Sequence, residues 1–403
     1  MHLFDNSLAT ILLCSPLALS PGSRYAPLDR KEWQALLSSL AVAHAVSVGA
    51  LLDLDERQMA ELPAVDVALA ERLAALLARR AQAESAISTL EEAGMWIMTA
   101  FEPDYPAGFT QRLRERAPLV LFGAGDIGLN QGRAIAVVGS RDVTPSGERF
   151  ARRLGELCAA DGLLVVSGAA RGVDRLAMSA CLETGGSAIG IVADSLAKTA
   201  ASSEIQQALN DHRLCLMSPY LPDAPFSAGN AMGRNKLIYA LANFAIVVDS
   251  ARERGGTWNG AIENLSRRWV PMFVRSDSDA APGNSELLRR GGLPLATNDL
   301  AGTRSLLTLL DSRHNELARD EAPDSTVQQQ SDTVALVAEL LEFLRLPRKV
   351  AEVAAHLDIS IARARNLLTE AVIANQVIVV AKHPATYQIA ANGRAGDLFS
   401  SGK

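Results

Sequence analysis

The sequence predicts an α/β protein: a doubly wound, mostly parallel sheet preceded by a helical domain and followed by a winged helix. Three observations predict it. The first is a βαβ unit. Ala134 to Val138 is apolar and largely β-branched, and Gly139-Ser140-Arg141 follows at once. A helical run from Glu148 to Ala160 leads into a second apolar strand, Leu163 to Val166, which ends in Ser167-Gly168, Arg171-Gly172 and Asp174. Strand, turn, helix, strand, turn implies a right-handed crossover. The second observation is repetition: six such strands alternate with helical segments, the pattern of a Rossmann-like sheet. The third is a return of apolar periodicity at Thr333, after a polar stretch.

Composition bounds the function. A chain of 403 residues suggests two or three domains. Hydrophobic residues at 48% and charged residues at 21% are typical of a soluble globular protein with a sizeable core. A net charge of -6 excludes a protein coated in positive charge, so any nucleic-acid contact belongs in a local cleft. Cys14, Cys158, Cys181 and Cys215 are far apart in apolar surroundings. They read as reduced, buried thiols, with neither metal spacing nor a disulfide framework. The apolar run Leu8 to Leu19 lacks a basic leader and is interrupted by Pro16. It is also too short to span a bilayer. No membrane segment is expected, and the cytoplasm is the default location.

Residues 1–94 read as helical. Asp29 caps a helix running to Leu40, and residues 46–54, 55–62 and 65–90 supply further amphipathic helix, ending near Gly94. Arg79 and Arg80 read as a solvated face. Residues 95–310 form the main domain. It opens with a short strand at Trp96 to Met98, a turn at Asp104-Tyr105-Pro106, a brief helix from Phe109 and an edge strand to Phe122. Beyond the βαβ unit, strands are expected at Ser187 to Val192, Leu214 to Ser218, Phe244 to Val248 and Trp269 to Val274. A loop rich in proline and small residues, Pro219 to Gly229, precedes Arg234-Asn235-Lys236, and this trio is expected to open a helix. Gly255-Gly256-Thr257 is expected to lead into a helix from Asn259. Residues 311–332 read as a polar linker. Residues 333–391 show three helices and a two-stranded ribbon, the outline of a winged helix with Arg363 and Arg365 on its recognition helix. Residues 392–403 form a tail.

In a doubly wound sheet ligands bind at the carboxyl ends of the strands. Gly139, Gly168, Gly172 and Gly256 allow close backbone approach there, beside Ser140, Ser167 and Thr257. Arg141, Arg171, Arg234 and Lys236 are expected on one rim, where four cations would follow a nucleic-acid backbone. Asn235 and Asn284 are candidates for hydrogen bonds to phosphate or base. Asp174 reads as a cap or an arginine-orienting carboxylate, and Asp194 as a turn residue. The histidines cluster with no serine or cysteine, so neither a nucleophilic triad nor a metal site is expected.

Six phrases in order are Asp104-Tyr105-Pro106, Gly139-Ser140-Arg141, Ser167-Gly168 through Asp174, Arg234-Asn235-Lys236, Gly256-Thr257 and Gly283-Asn284 with Leu288. Together they resemble the DprA/Smf (DNA-processing protein A) family over residues 95–295, and the flanking domains match in order and type. The resemblance implies a SAM/HhH-like N-terminal domain and single-stranded DNA binding at the Rossmann-like domain. It also implies protection of incoming strands in natural transformation and DNA recombination, loading of a RecA-type recombinase, and a homodimer. No cofactor and no catalysis are implied. Three turns differ from the family pattern: Ala193-Asp194-Ser195 replaces a Gly-Thr-Gly-like turn, Ser218-Pro219 replaces Ser-Glu, and Lys236 replaces an arginine. Two other readings use the same crevice, each compatible with phage or mobile-element defence. One is a small-nucleotide receptor, the other a nucleotide hydrolase centred on Arg171, Asp194 and Glu263.

Overall fold

The computed structural model describes residues 3–42, 47–320, 339–357, 359, 361, 364, 367–368, 371, 377–382 and 385–389. The chain divides into two compact units, Met1–His314 and Asn315–Lys403.

Five helices begin the first unit: α1 (Asp5–Cys14), α2 (Arg30–Val42), α3 (Glu56–Ala60), α4 (Val67–Leu77) and α5 (Arg80–Glu92). Every residue of α1 from Ser7 to Leu13 is buried, so the apolar run near the N-terminus is a core helix. Helix α2 starts where the sequence predicts. The Asp29 carboxylate accepts from the N–H groups of Lys31 and Glu32 at 2.8 and 2.9 Å, and Glu32 accepts from the Asp29 N–H at 2.7 Å. The stretch 65–90 is broken between α4 and α5, and the break redirects Arg79. Its guanidinium donates to the carbonyls of Leu12 and, at 2.8 Å, Leu17. Those carbonyls lie at and just past the end of α1, where helical partners run out. Arg79 is therefore a tie between segments rather than a solvated residue, while Arg80 stays exposed and pairs with Glu84 at 2.9 Å.

The sheet has nine strands: β1 (Met95–Thr99), β2 (Val120–Gly125), β3 (Ala134–Val138), β4 (Leu164–Ser167), β5 (Ser187–Ile191), β6 (Leu214–Ser218), β7 (Phe244–Val247), β8 (Met272–Arg275) and β9 (Leu293–Leu295). Their order is β1-β2-β6-β5-β4-β3-β7-β8-β9. Strands β3 to β9 pair in parallel, while β2 runs antiparallel to β6, and β1 to β2. The chain order reverses between β3 and β7, the position at which such sheets open a crevice.

Alternating side chains of β3 and β4 feed two cores, one per face. Ile135, Val137 and Val165 pack with residues of α6 (Pro145–Ala160), α7 (Val173–Glu183) and the N-terminal helices. Ala136, Val138 and Val166 pack with α10 (Ala228–Leu241) and α11 (Gly255–Arg267). The smaller helices α8 (Leu196–Ala200), α9 (Ser203–Asn210), α12 (Pro282–Arg289) and α13 (Thr297–Gly302) fill the crossovers, and α14 (Leu306–Asp320) extends into the stretch expected as linker.

One boundary matters for the site. The Ser227 hydroxyl accepts from the Asn230 N–H at 2.9 Å and caps α10. Arg234-Asn235-Lys236 therefore sits in the middle of that helix and does not open it. The cap nucleates the helix despite Gly229 and Gly233, whose presence favours a loop reading.

In the second unit, β10 (Arg348–Lys349), β11 (Val377–Lys382) and β12 (Ala385–Ile389) form an antiparallel sheet of order β10-β12-β11. A helix, Val350–His356, follows β10. Leu340, Leu344, Val353, Leu368 and Val377 share its core. Arg363, Arg365, residues 321–332 and the tail lie outside the described residues.

Candidate functional site

At the switch point the ends of β3 and β7 part around a crevice of about 520 Å³. The Gly139–Arg141 turn, the start of α10 and the N-terminus of α11 enclose it. Arg141 is exposed, and its guanidinium carbon lies 5.1 Å from the centroid of the Phe226 ring, itself 53% exposed. Across the crevice, Arg254 precedes the first turn of α11, where Gly255, Gly256 and Thr257 carry backbone N–H groups without helical acceptors. Neither Arg141 nor Arg254 has an acidic partner among the described residues. The Asn235 amide bridges α10 to α11 by donating to the Gly256 carbonyl at 3.0 Å. A guanidinium on an aromatic face opposite a helix N-terminus is suited to an anion that carries a flat ring.

The floor beneath is a packed, charged layer. Arg234 is only 5% exposed, and its guanidinium donates to the Ile191 carbonyl. Burial lowers its pKa, and neighbouring Asp174 opposes that shift. Asp174 is buried as well. Burial raises its carboxyl above the ordinary range, opposed by Arg234, the Ser167 hydroxyl and the N–H groups of Ala170 and Gly168. The Ser167 hydroxyl donates to the Val137 carbonyl at 2.6 Å. Asp174 and Arg234 thus both lie buried at the base of the crevice. Gly168 is required here because a Cβ would meet Arg234 Nη1 at 2.1 Å. Gly172 is required because its φ is +91° and a Cβ would meet the Ser140 carbonyl at 2.3 Å.

Several predicted site residues turn out to be braces. The Thr257 hydroxyl donates to the Gly139 carbonyl at 2.8 Å and ties α11 to β3. The Ser140 N–H donates to the Asp249 carbonyl at 2.9 Å, and its hydroxyl accepts from the Asp142 N–H at 3.1 Å. Asn284 is buried. Its oxygen accepts from the Ser250 N–H at 2.9 Å, and its amide donates to the carbonyls of Val248 and Arg275 at 2.8 and 2.9 Å. Every polar atom of that side chain is committed to backbone.

The four predicted cations do not share one rim. Arg141 lines the crevice and Arg234 lies beneath it, whereas Arg171 is exposed and pairs with Asp142 at 2.7 Å. Lys236 enters a different cavity on the other side of α10. A helix turns 100° per residue, so positions 234, 235 and 236 point in three directions. Sequence reasoning missed Phe226 and Arg254. Arg254 was legible as the residue before Gly255-Gly256, whereas Phe226 sits in a loop with no periodicity to mark it.

A family model described as DNA recombination-mediator protein A matches residues 96–299, half of the chain. The chain belongs to the DprA/Smf family. A putative DNA processing protein DprA of Mycobacterium tuberculosis is 30% identical over 206 residues, covering 50% of this chain and 53% of that protein. Protein Smf of Escherichia coli is 29% identical over 178 residues, covering 44% of this chain and 47% of that protein. The chain spans about half the length of the curated relatives it matches. In fold it is similar to the DNA processing protein A (DprA) structure from Streptococcus pneumoniae, at a TM-score of 0.52 and 18% identity. That superposition covers 73% of this chain and 95% of the other.

Within the matched DprA/Smf span, the turn Ala193-Asp194-Ser195 has a local role. Ser195 accepts from the Lys198 N–H at 3.1 Å and caps α8. Of the residues in the hydrolase reading, Arg171 is paired with Asp142 and Glu263 with Arg116, while Asp194 is exposed after β5. No group of three or more potential metal ligands occurs among the described residues.

Proposed function

We propose that this DprA/Smf chain binds single-stranded DNA in the crevice at the strand switch point, in a DNA-processing role like that stated in its relatives' names. One observation carries the reading. Arg141 has no acidic partner, lies over an exposed phenylalanine and faces the open N-terminus of α11. A strand supplies both things this arrangement takes: a phosphate for the guanidinium and helix N–H groups, and an unpaired base for the aromatic face. The acidic total charge confines the contact to this cleft. In this reading the crevice binds, and Arg171 and Glu263, each paired with a neighbouring charge, are assigned no catalytic role. The family resemblance extends the proposal to delivery of strands to a RecA-type recombinase, a homodimer and a cytoplasmic location. No described helix is long and apolar enough to cross a membrane. A winged helix at residues 333–391 is the reading that the small antiparallel sheet and the helix Val350–His356 support.

The test is fluorescence anisotropy of a labelled oligo-dT strand against a matched duplex, titrated in salt. Strand binding is expected to be tighter and steeply salt-dependent. Arg141→Ala and Arg254→Ala should each weaken it and flatten the logarithmic salt slope by about 1. Absence of strand binding at micromolar protein overturns the reading. A shallow slope with binding of single nucleotides instead favours the receptor reading.

A further inference from the structure

On the opposite face of α10 lies a second cavity, of about 700 Å³. The end of α1 with Ser15 and Pro16, the approach to β2 from Pro118 to Phe122, and the loop Pro219 to Pro225 wall it. Helix geometry separates the two cavities. Asn230, Gly233 and Leu237, spaced three and four apart, face this one, whereas Ala231, Asn235 and Ile238 face the crevice at the switch point.

Three cations converge on this basin: Arg30, Arg116 and Lys236. Arg30 spends its guanidinium on neutral acceptors, the carbonyls of Glu115 and, at 2.8 Å, Ala117. Arg116 is paired with Glu263 at the edge. Lys236 is half-buried, and no hydrogen bond or ion pair to its ammonium occurs among the described residues. Burial lowers its pKa first, then Arg116 and Arg30, with only Glu263 opposing. Asp223 is the one acid among the lining residues. A half-buried ammonium facing two guanidinium groups is costly to fold around unless an anion joins it. Leu119, Val120, Leu221 and Pro225 give the cavity apolar lining, and the Tyr220 hydroxyl, which donates to the Asn230 carbonyl at 3.0 Å, lies among them. Cationic groups and apolar side chains lining one cavity suit a phosphate attached to a ring.

We propose that this basin is a second nucleotide-phosphate site, in which the Lys236 ammonium donates to a phosphate oxygen and the apolar walls take the attached sugar or base. It does not rest on the strand reading of the crevice, from which α10 separates it. The nucleotide arrives either free or as part of a strand.

Calorimetric titration of the full chain with dTMP, and with thymidine as the uncharged control, tests this. Binding of dTMP with thymidine at least about tenfold weaker is expected, one charge-assisted hydrogen bond being worth about that factor or more. With Arg141→Ala as the common background, which removes dTMP held by the crevice, Lys236→Met should lose about tenfold or more and Lys236→Arg should retain binding. Unchanged far-ultraviolet circular dichroism of Lys236→Met, with binding retained by Lys236→Arg, separates loss of the ligand contact from misfolding. Oligo-dT then identifies the source: Lys236→Met lowers the salt slope by about 1 if a strand reaches the basin, and leaves it unaltered if only free nucleotides do. No dTMP binding at millimolar concentration overturns the proposal. Binding abolished by Arg141→Ala but kept by Lys236→Met overturns it equally.

Discussion

Arg275, the last residue of β8, has a fully buried side chain, and its removal tests how the crevice is held open. Its guanidinium meets the carboxylates of Asp249 at 3.1 Å, Asp277 at 2.8 Å and Asp279, and donates to the Ser146 hydroxyl at 3.0 Å. The Asp249 side chain is 2% exposed and also accepts from the Ala281 N–H at 3.1 Å. Through its carbonyl, Asp249 takes the Ser140 N–H, so the turn carrying Arg141 hangs on the same residue. Arg275→Met keeps most of the volume and leaves the Asp249 carboxylate buried without its cation. Breaking a buried pair from one side costs about 3–5 kcal/mol. The surviving Ala281 donor and the more exposed Asp277 and Asp279 place the loss near the lower end, about 3 kcal/mol. For the unit Met1–His314, an unfolding entropy of about 2.1 cal/mol/K per residue turns that into a Tm loss of roughly 4–5 °C. Urea unfolding followed by circular dichroism reads it directly. Arg275→Met with Asp249→Asn removes the orphaned charge and should recover stability to within about 1–2 kcal/mol of the parent. A single variant costing below about 1 kcal/mol, or a double variant worse than the single, refutes the assignment.

Two further outcomes are expected. Gly168→Ala drives a methyl into the Arg234 guanidinium and should cost about 1–3 kcal/mol, with weaker oligo-dT binding. An unchanged thermal midpoint counts against that packing. For Glu32, the hydrogen bond from Arg72, at 2.7 Å, holds the carboxyl below its usual range, helped by the Asp29 N–H. A depressed folded pKa adds stability above the unfolded value of about 4.3 and loses it as pH falls through the folded value. Partial exposure keeps the effect small. The Tm gap between the parent and Glu32→Gln should therefore be flat near neutrality and shrink in acid, and a gap that widens in acid contradicts this sign.

The sheet was legible because its strands are short apolar runs between small-residue turns; β3 to β7 appear where the periodicity puts them, and β8 starts at Met272, inside the expected run from Trp269. Strand β9, with three residues, is too short to show a period. The site was legible at the level of turns and less so at the level of side chains. Arg141 and Gly256 occupy the crevice, but Ser167, Thr257 and Asn284 serve neighbouring backbone, which no local pattern announces. Arg234 looked like a surface cation because arginine is rarely buried. What buries it is long-range: Ile191 on β5, Gly168 after β4 and Asp174 on α7 converge only when the sheet forms.

Helix α10 explains how one contiguous motif serves separate ends. Because Ser227 starts the helix before the motif, Arg234, Asn235 and Lys236 are rotated apart, and each meets a different electrostatic setting. Arg234 turns inward toward buried Asp174 and becomes structure. Asn235 crosses to α11 and aligns the helix N-terminus with the crevice. Lys236 turns to the far side, where Arg116, Arg30 and Glu263 are its charged neighbours. Placed at the helix start, as the sequence suggested, the three would have gathered around one phosphate; placed mid-helix they build a floor, a brace and an unpaired charge. An acidic protein can hold an anion only where its cations are left without carboxylates. Arg141, Arg254 and Lys236 meet that condition on the two sides of this helix, so α10 divides the surface available to phosphate into two separately testable basins.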